Sequence, residues 1–133
     1  MRLVIDTNIY IDFAKGEPEV VDALAEFGDE IYMPSAVIAE LSYGFMKGSR
    51  QEANEKKLQE IIESLDIRII NADRDVARKY ALIYHHLVEK GRIIPINDVW
   101  IAASCLAIGG TMITRYRYFL EITMIDLFSF DAV

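Results

Sequence analysis

The sequence predicts an α/β fold in which a mostly parallel sheet is covered by helices on both faces. Short apolar segments without polar alternation, such as the core of Arg2–Asp6 and of Thr111–Thr114, are typical of strands buried on both sides. They alternate along the chain with longer segments of helical periodicity, and this alternation builds parallel sheets. A chain of 133 residues without a linker or repeat is expected to form one domain, residues 1–133.

Turn and capping residues delimit the predicted elements. Gly16 ends the first helix, Pro18 suits the first turn of the second, and Gly91 ends the fifth. Ser35 is the expected N-cap of the third helix. The predicted strands are Arg2–Asp6, Glu30–Met33, Ile67–Ile70, Thr111–Thr114 and Thr123–Leu127. The predicted helices are Thr7–Ala14, Pro18–Phe27, Ser35–Met46, Arg50–Ser64, Asp73–Lys90 and Asn97–Ile108.

Three carboxylates stand alone in apolar surroundings. Asp6 ends the first strand, Glu40 lies among apolar and small residues of the third helix, and Asp98 begins the last helix. Ligands of open α/β sheets bind outside the carboxyl ends of the strands, where Asp6 is expected. Carboxylate oxygens suit Mg²⁺ and Mn²⁺, so the combination predicts one divalent-metal site.

Each of these carboxylates also has a purely structural interpretation. Asp6 is a good N-cap for the first helix, and this role is compatible with metal binding. Glu40 can instead point to water at the edge of the core. Asp98 can cap the last helix, although Asn97 is equally suited to that task.

Composition limits the classes of function. The net charge of −7 argues against a broad nucleic-acid-binding face, although a bound metal would neutralise part of this charge locally. No apolar run reaches the roughly 18 residues of a membrane span. The single cysteine, Cys105, gives no disulfide framework, and a cytoplasmic protein without membrane attachment is expected.

Three sequence motifs resemble those of a known family. The stretches VIDTNIYID, MPSAVIAELSYGF and INDVWIAASCLAIGGTMIT occur in this order and are similar to the motifs of PIN-domain ribonucleases. Chain length and motif spacing resemble the VapC-type toxins of toxin–antitoxin pairs. The resemblance implies a PIN-like three-layer sandwich. It also implies endonucleolytic hydrolysis of RNA phosphodiesters by a water that Mg²⁺ or Mn²⁺ activates.

The resemblance further implies roles for individual residues. Asp6 and Asp98 correspond to the principal metal ligands and catalytic acids, and Glu40 would complete the metal site directly or through a water. Thr7 and Asn8 would orient Asp6 by hydrogen bonds. The last supporting residue is Thr114, which matches a hydroxyl residue that often lies beside the metal in this family.

The chain departs from the family pattern after the third motif. The fourth acid of the family corresponds to Tyr116 when Thr114 and Phe119 are aligned, and a phenol is a poor Mg²⁺ ligand. One alternative is therefore a weak or inactive PIN domain that binds RNA or protein without cleaving it. Arg115 and Arg117 suit RNA phosphates or an acidic antitoxin segment, and Tyr116 suits an unpaired base. The segment can equally be an exposed loop anchored by Phe119.

A second enzymatic class, the aspartyl-nucleophile phosphatases, also places an aspartate at the end of the first strand. These enzymes usually carry a second aspartate two residues later, where this chain has Asn8. The resemblance to PIN domains implies instead an RNA substrate, a small antitoxin partner and a homodimer. The sequence names neither the RNA target nor the antitoxin.

Overall fold

The computed structural model describes residues 1–132 and contains one five-stranded parallel sheet. Its strands are β1 (Arg2–Ile5), β2 (Glu30–Pro34), β3 (Arg68–Ile70), β4 (Thr111–Ile113) and β5 (Asp126–Leu127). Their order across the sheet is β3-β2-β1-β4-β5, and all neighbouring strands run parallel. The central strand is thus β1, and Asp6 lies immediately beyond its carboxyl end.

Helices connect the strands and flank the sheet. The six α-helices of the described chain are α1 (Thr7–Ala14), α2 (Pro18–Phe27), α3 (Ser35–Lys47), α4 (Gln51–Ser64), α5 (Arg74–Lys90) and α6 (Ile96–Ile108). Two short 3₁₀ turns, Arg117–Glu121 and Phe130–Ala132, follow β4 and β5. The predicted α/β architecture with a parallel sheet is confirmed. No helix within residues 1–132 combines the length and apolar character needed to cross a membrane.

The core is built from the middle strands of the sheet and from α6, more than half of whose residues are buried. Leu3, Val4 and Ile5 of β1 are buried almost completely, as expected for a central strand covered on both faces. Gly110 allows β4 to approach β1, because a β-carbon there would lie 2.7 Å from Val4 Cγ2. This close pairing aligns Ile5 with Ile113, so the residues that follow both strands are neighbours.

Several predicted boundaries differ from the structure. Ser35 is the first helical residue of α3, and Pro34 occupies the N-cap position. A proline also occupies the N-cap position of α6: it is Pro95, whose carbonyl accepts the Asp98 N–H at 3.0 Å. The prediction that Asn97 or Asp98 caps α6 is wrong, because both lie inside its first turn. The last strand is shorter than predicted, and the sequence did not predict the 3₁₀ turn after β4.

Candidate active site

Asp6 connects the central strand, the first helix and the neighbouring strand. It is the N-cap of α1, and its Oδ1 accepts the Ile9 N–H at 2.9 Å. Its Oδ2 accepts a hydrogen bond from the hydroxyl of Thr114, which directly follows β4. Asp6 is only 1% exposed, so these bonds fix a buried carboxylate. The capping interpretation is confirmed, and it leaves the carboxylate at the expected edge of the sheet.

Asp98 lies in the first turn of α6 and is 7% exposed. Burial raises the pKa of its carboxyl group to about 6, and the charges of Glu40 and Asp6 contribute further. Burial also raises the pKa of Asp6, although the hydrogen bonds from Thr114 and Ile9 oppose that increase. Two carboxyl groups with raised pKa values therefore lie near each other at this edge of the sheet.

Glu40 of α3 completes the carboxylate cluster, by which we mean Asp6, Glu40 and Asp98. Its charge raises the pKa of both aspartates, so the structure brings α3 to the same edge of the sheet. The Oε1 atom of Glu40 is buried and has no hydrogen-bond partner within residues 1–132. The interpretation that Glu40 simply points into water therefore does not describe this oxygen.

The carboxylate cluster has the chemistry of a site for a hard divalent cation. It offers oxygen donors only, their charges repel one another, and one buried oxygen lacks a partner. Its members do not form a ready coordination sphere, since no three acidic, histidine or cysteine side chains of residues 1–132 converge as closely as direct ligation requires. The arrangement fits two direct aspartate ligands, with Glu40 reaching the ion through water or a changed rotamer.

The hydrogen bonds expected from Thr7 and Asn8 to Asp6 are made instead by Ile9 and Thr114. As an N-cap, Asp6 turns one oxygen toward the first turn of its own helix, and the other oxygen meets the residue after the neighbouring strand. The Oγ1 atom of Thr7 is buried and has no hydrogen-bond partner in the described chain.

Arg115 fastens the segment after β4 to the first two helices. Its guanidinium group lies 3.2 Å from Asp12 and 2.8 Å from Glu19, and 5.2 Å from the centre of the Phe130 ring. Arg115 is therefore paired with acids of the same chain, and its expected contact with RNA or an antitoxin stays a prediction. Its two acidic partners are about a hundred residues away in sequence, so no local sequence pattern predicts these ion pairs.

Tyr116 occupies the position where the family resemblance expects a fourth acid. Its backbone N–H donates to Thr114 Oγ1 at 3.0 Å, while its side chain is 43% exposed. Phe119 is fully buried, as the interpretation of this segment as an exposed loop anchored by Phe119 predicts. The downstream acid Glu121 forms ion pairs with Lys90 and Arg92 and is thus engaged elsewhere.

Comparisons with known proteins agree with this geometry. The PIN domain family model matches residues 3–123. Ribonuclease VapC2 of Rickettsia felis is 31% identical over 119 residues, which cover 86% of this chain and 87% of the relative. Ribonuclease VapC5 of Mycobacterium tuberculosis is 31% identical over 100 residues, covering 75% and 72% of the two chains.

Solved structures share the fold. The crystal structure of VapBC2 from Rickettsia felis bound to a DNA fragment from their promoter matches with a TM-score of 0.86 and 28% identity, over 96% of this chain and 98% of that chain. VapBC-1 from nontypeable Haemophilus influenzae matches with a TM-score of 0.87 at 24% identity, over 98% and 99% of the two chains. The PIN-like sandwich predicted from the sequence is confirmed.

Proposed function

The chain belongs to the PIN-domain family, and from this membership we propose that it is a divalent-metal-dependent endoribonuclease that acts as the toxin of a toxin–antitoxin pair. The observation that carries the proposal is the carboxylate cluster, in which three elements contribute acids, and burial together with the charge of Glu40 raises the pKa values of both aspartates. Two relatives at 31% identity are named ribonucleases, which supports the same activity for this chain.

The proposed cofactor is Mg²⁺ or Mn²⁺, held by Asp6 and Asp98 with Glu40 nearby. When bound, such an ion offsets negative charge on a phosphate and lowers the pKa of water. Asp6 is held in place by bonds from two different elements, so little reorganisation is needed at this carboxylate. The burial of both aspartates keeps bulk water away from them and strengthens their interaction with a cation.

Glu40 has a separate proposed role. Because its Oε1 forms no hydrogen bond within residues 1–132, this atom can accept a proton from the water that attacks the phosphodiester. Thr114 acts through Asp6, since its hydroxyl bonds that carboxylate, and we regard it as a positioning residue.

Cleavage of RNA by matched variants tests the proposal. Asp6→Asn and Asp98→Asn should each reduce cleavage by more than about a hundredfold, because both remove a proposed ligand. EDTA should abolish cleavage, and added Mg²⁺ or Mn²⁺ should restore it. Asp22→Asn is the control, because Asp22 is an exposed carboxylate of α2 outside the cluster. Undiminished cleavage by Asp98→Asn in EDTA would contradict the proposed reaction.

A second candidate is a PIN domain that binds RNA or protein without cleaving it. Tyr116 favours this candidate, because it replaces an acid that the family resemblance places beside the metal. Retention of RNA without cleavage in either Mg²⁺ or Mn²⁺ would establish the binding role and exclude the nuclease.

The proposed partner is a small antitoxin protein. The VapBC2 structure from Rickettsia felis, which shares this fold at 28% identity, supports this partnership. We expect a short reading frame next to the gene for this chain, whose product copurifies with it. Light scattering of the purified chain tests the expected homodimer separately.

A further inference from the structure

Two tyrosines project from the turn that follows the proposed site. Tyr116 is 43% exposed and Tyr118 is 47% exposed, and their ring centres lie 6.1 Å apart with the ring planes tilted by 51°, so each ring offers its own stacking face. The residue after them, Phe119, is fully buried and anchors the turn. Exposed aromatic rings on an anchored segment provide planes on which unpaired bases can stack.

The two arginines next to these tyrosines differ in whether an acidic side chain pairs with them. Arg115 is neutralised by Asp12 and Glu19. Arg117 lies between the two tyrosines in sequence, and none of the ion pairs formed within residues 1–132 involves it. In a chain with a net charge of −7, this local positive charge provides a contact for a phosphate.

A cleft of about 410 Å³ opens beside Tyr116, which lines it, whereas Tyr118 lies outside its lining. Tyr116, Leu120, Phe128 and Phe130 contribute aromatic and aliphatic walls, and polar residues that include Arg117 line the rest. Asp131 also lines the cleft and would repel a phosphate, although a carboxylate can accept a hydrogen bond from the amino group of a base. The volume lies within the range of small-ligand sites, about 300–1,000 Å³, and the lining suits a base.

The cleft is physically joined to the carboxylate cluster. Thr114 lines the cleft, its hydroxyl donates to Asp6, and the same oxygen accepts the Tyr116 N–H. A base seated here would therefore place its nucleotide next to the site proposed to cleave the chain.

We propose that Tyr116 and Tyr118 form a stacking platform for an unpaired base of single-stranded RNA, with Arg117 on an adjacent phosphate. This inference rests on the proposed ribonuclease function and names the residues that would hold its RNA substrate. The platform replaces an expected metal ligand with a group that holds substrate. It also separates the two arginines by role, since Arg115 secures the turn and Arg117 contacts RNA.

The experiment measures binding in the Asp98→Asn background, which is expected not to cleave. The probe is a short single-stranded RNA that carries 2-aminopurine, whose fluorescence is quenched on stacking, and an RNA duplex serves for comparison. Tyr116→Leu with Tyr118→Leu should weaken single-strand binding about fivefold to a hundredfold and remove the quenching. Tyr116→Phe with Tyr118→Phe should retain both. Arg117→Gln should reduce the magnitude of the slope of log K against log salt concentration by about 0.7, where K is the RNA association constant.

Tyr84→Leu is the matched control, because Tyr84 is an exposed tyrosine that belongs to α5 and not to the turn that carries Tyr116 and Tyr118. In one outcome, the double leucine variant binds the single-stranded RNA and quenches its 2-aminopurine as strongly as the parent Asp98→Asn chain, while the native chain cleaves RNA. This result would refute the stacking platform and leave the proposed ribonuclease function intact. If the native chain neither binds nor cleaves RNA, the proposed function fails as well. Loss of antitoxin binding with unchanged RNA affinity would identify a protein-docking surface and overturn the inference.

Discussion

Replacement of Asp98 by asparagine should stabilise the cation-free protein at neutral pH while it abolishes the proposed activity. The folded-state pKa of Asp98 is about 6, above the ordinary 3.8, because of burial and of the charges of Glu40 and Asp6. The folded state therefore binds the proton more tightly than the unfolded chain. Stability should fall as the pH rises from about 4 to about 6, and the loss should be complete above that range.

The magnitude follows from the same pKa. The difference between about 6 and 3.8 corresponds to an upper bound of about 3 kcal/mol at neutral pH. Asparagine has nearly the same shape and carries no charge, so we expect Asp98→Asn to gain about 1–3 kcal/mol at pH 7. For a chain of this size the gain corresponds to a rise in Tm of roughly 3–5 °C per kcal/mol.

Thermal and urea denaturation in EDTA at pH 4.5 and at pH 7 measure this effect. The stability difference between Asp98→Asn and the native chain should be about a third as large at pH 4.5 as at pH 7. Asp22→Asn should show no comparable gain, because Asp22 is exposed on α2. A variant that is less stable than the native chain at pH 7 would show that Asp98 is already compensated, and the reasoning about the carboxylate cluster would be wrong.

Three further predictions concern the same edge of the sheet. Thr114→Val should lower the free energy of unfolding at pH 7 by about 1.5–3 kcal/mol, because buried Asp6 loses a hydrogen-bond donor. Thr114→Ser keeps a hydroxyl group and should retain most of the native stability. Equal urea midpoints for the valine variant and the native chain would contradict this prediction. Gly110→Ala should lower the free energy of unfolding by about 1–3 kcal/mol, because the added methyl group would collide with Val4. Urea denaturation measures this loss, and an unchanged midpoint would contradict the close pairing of β4 with β1. Mg²⁺ should raise the Tm more at pH 7 than at pH 5, because protonated carboxyl groups bind it poorly; a pH-independent rise would indicate binding elsewhere.

The positions of the elements were predictable where apolar pattern and punctuation agree. The helices Thr7–Ala14 and Pro18–Phe27 have the predicted bounds, because a glycine or proline marks their ends. The start of α6 was misplaced, because a capping preference of about 1 kcal/mol is small beside the packing of a helix buried on nearly all sides. Packing therefore placed Asp98 inside the first turn, where its carboxylate joins the cluster.

Only part of the proposed site could be predicted, because some of its contacts depend on long-range packing. Isolated acids in apolar sequence pointed to Asp6, Glu40 and Asp98, and the parallel sheet brings their elements to one edge. The contacts of Arg115 could not be predicted, because they depend on how α1 and α2 pack against the segment after β4. Long-range ion pairs leave no periodic signal in a single sequence.

The central claim is that the carboxylate cluster holds a divalent cation, and a crystal soaked in Mn²⁺ tests it most directly. We expect an anomalous difference peak between the carboxylates of Asp6 and Asp98, with Glu40 within direct or water-mediated reach. The peak should disappear in crystals of Asp98→Asn prepared in the same way. Mn²⁺ bound only at other carboxylates, with none between Asp6 and Asp98, would contradict the account.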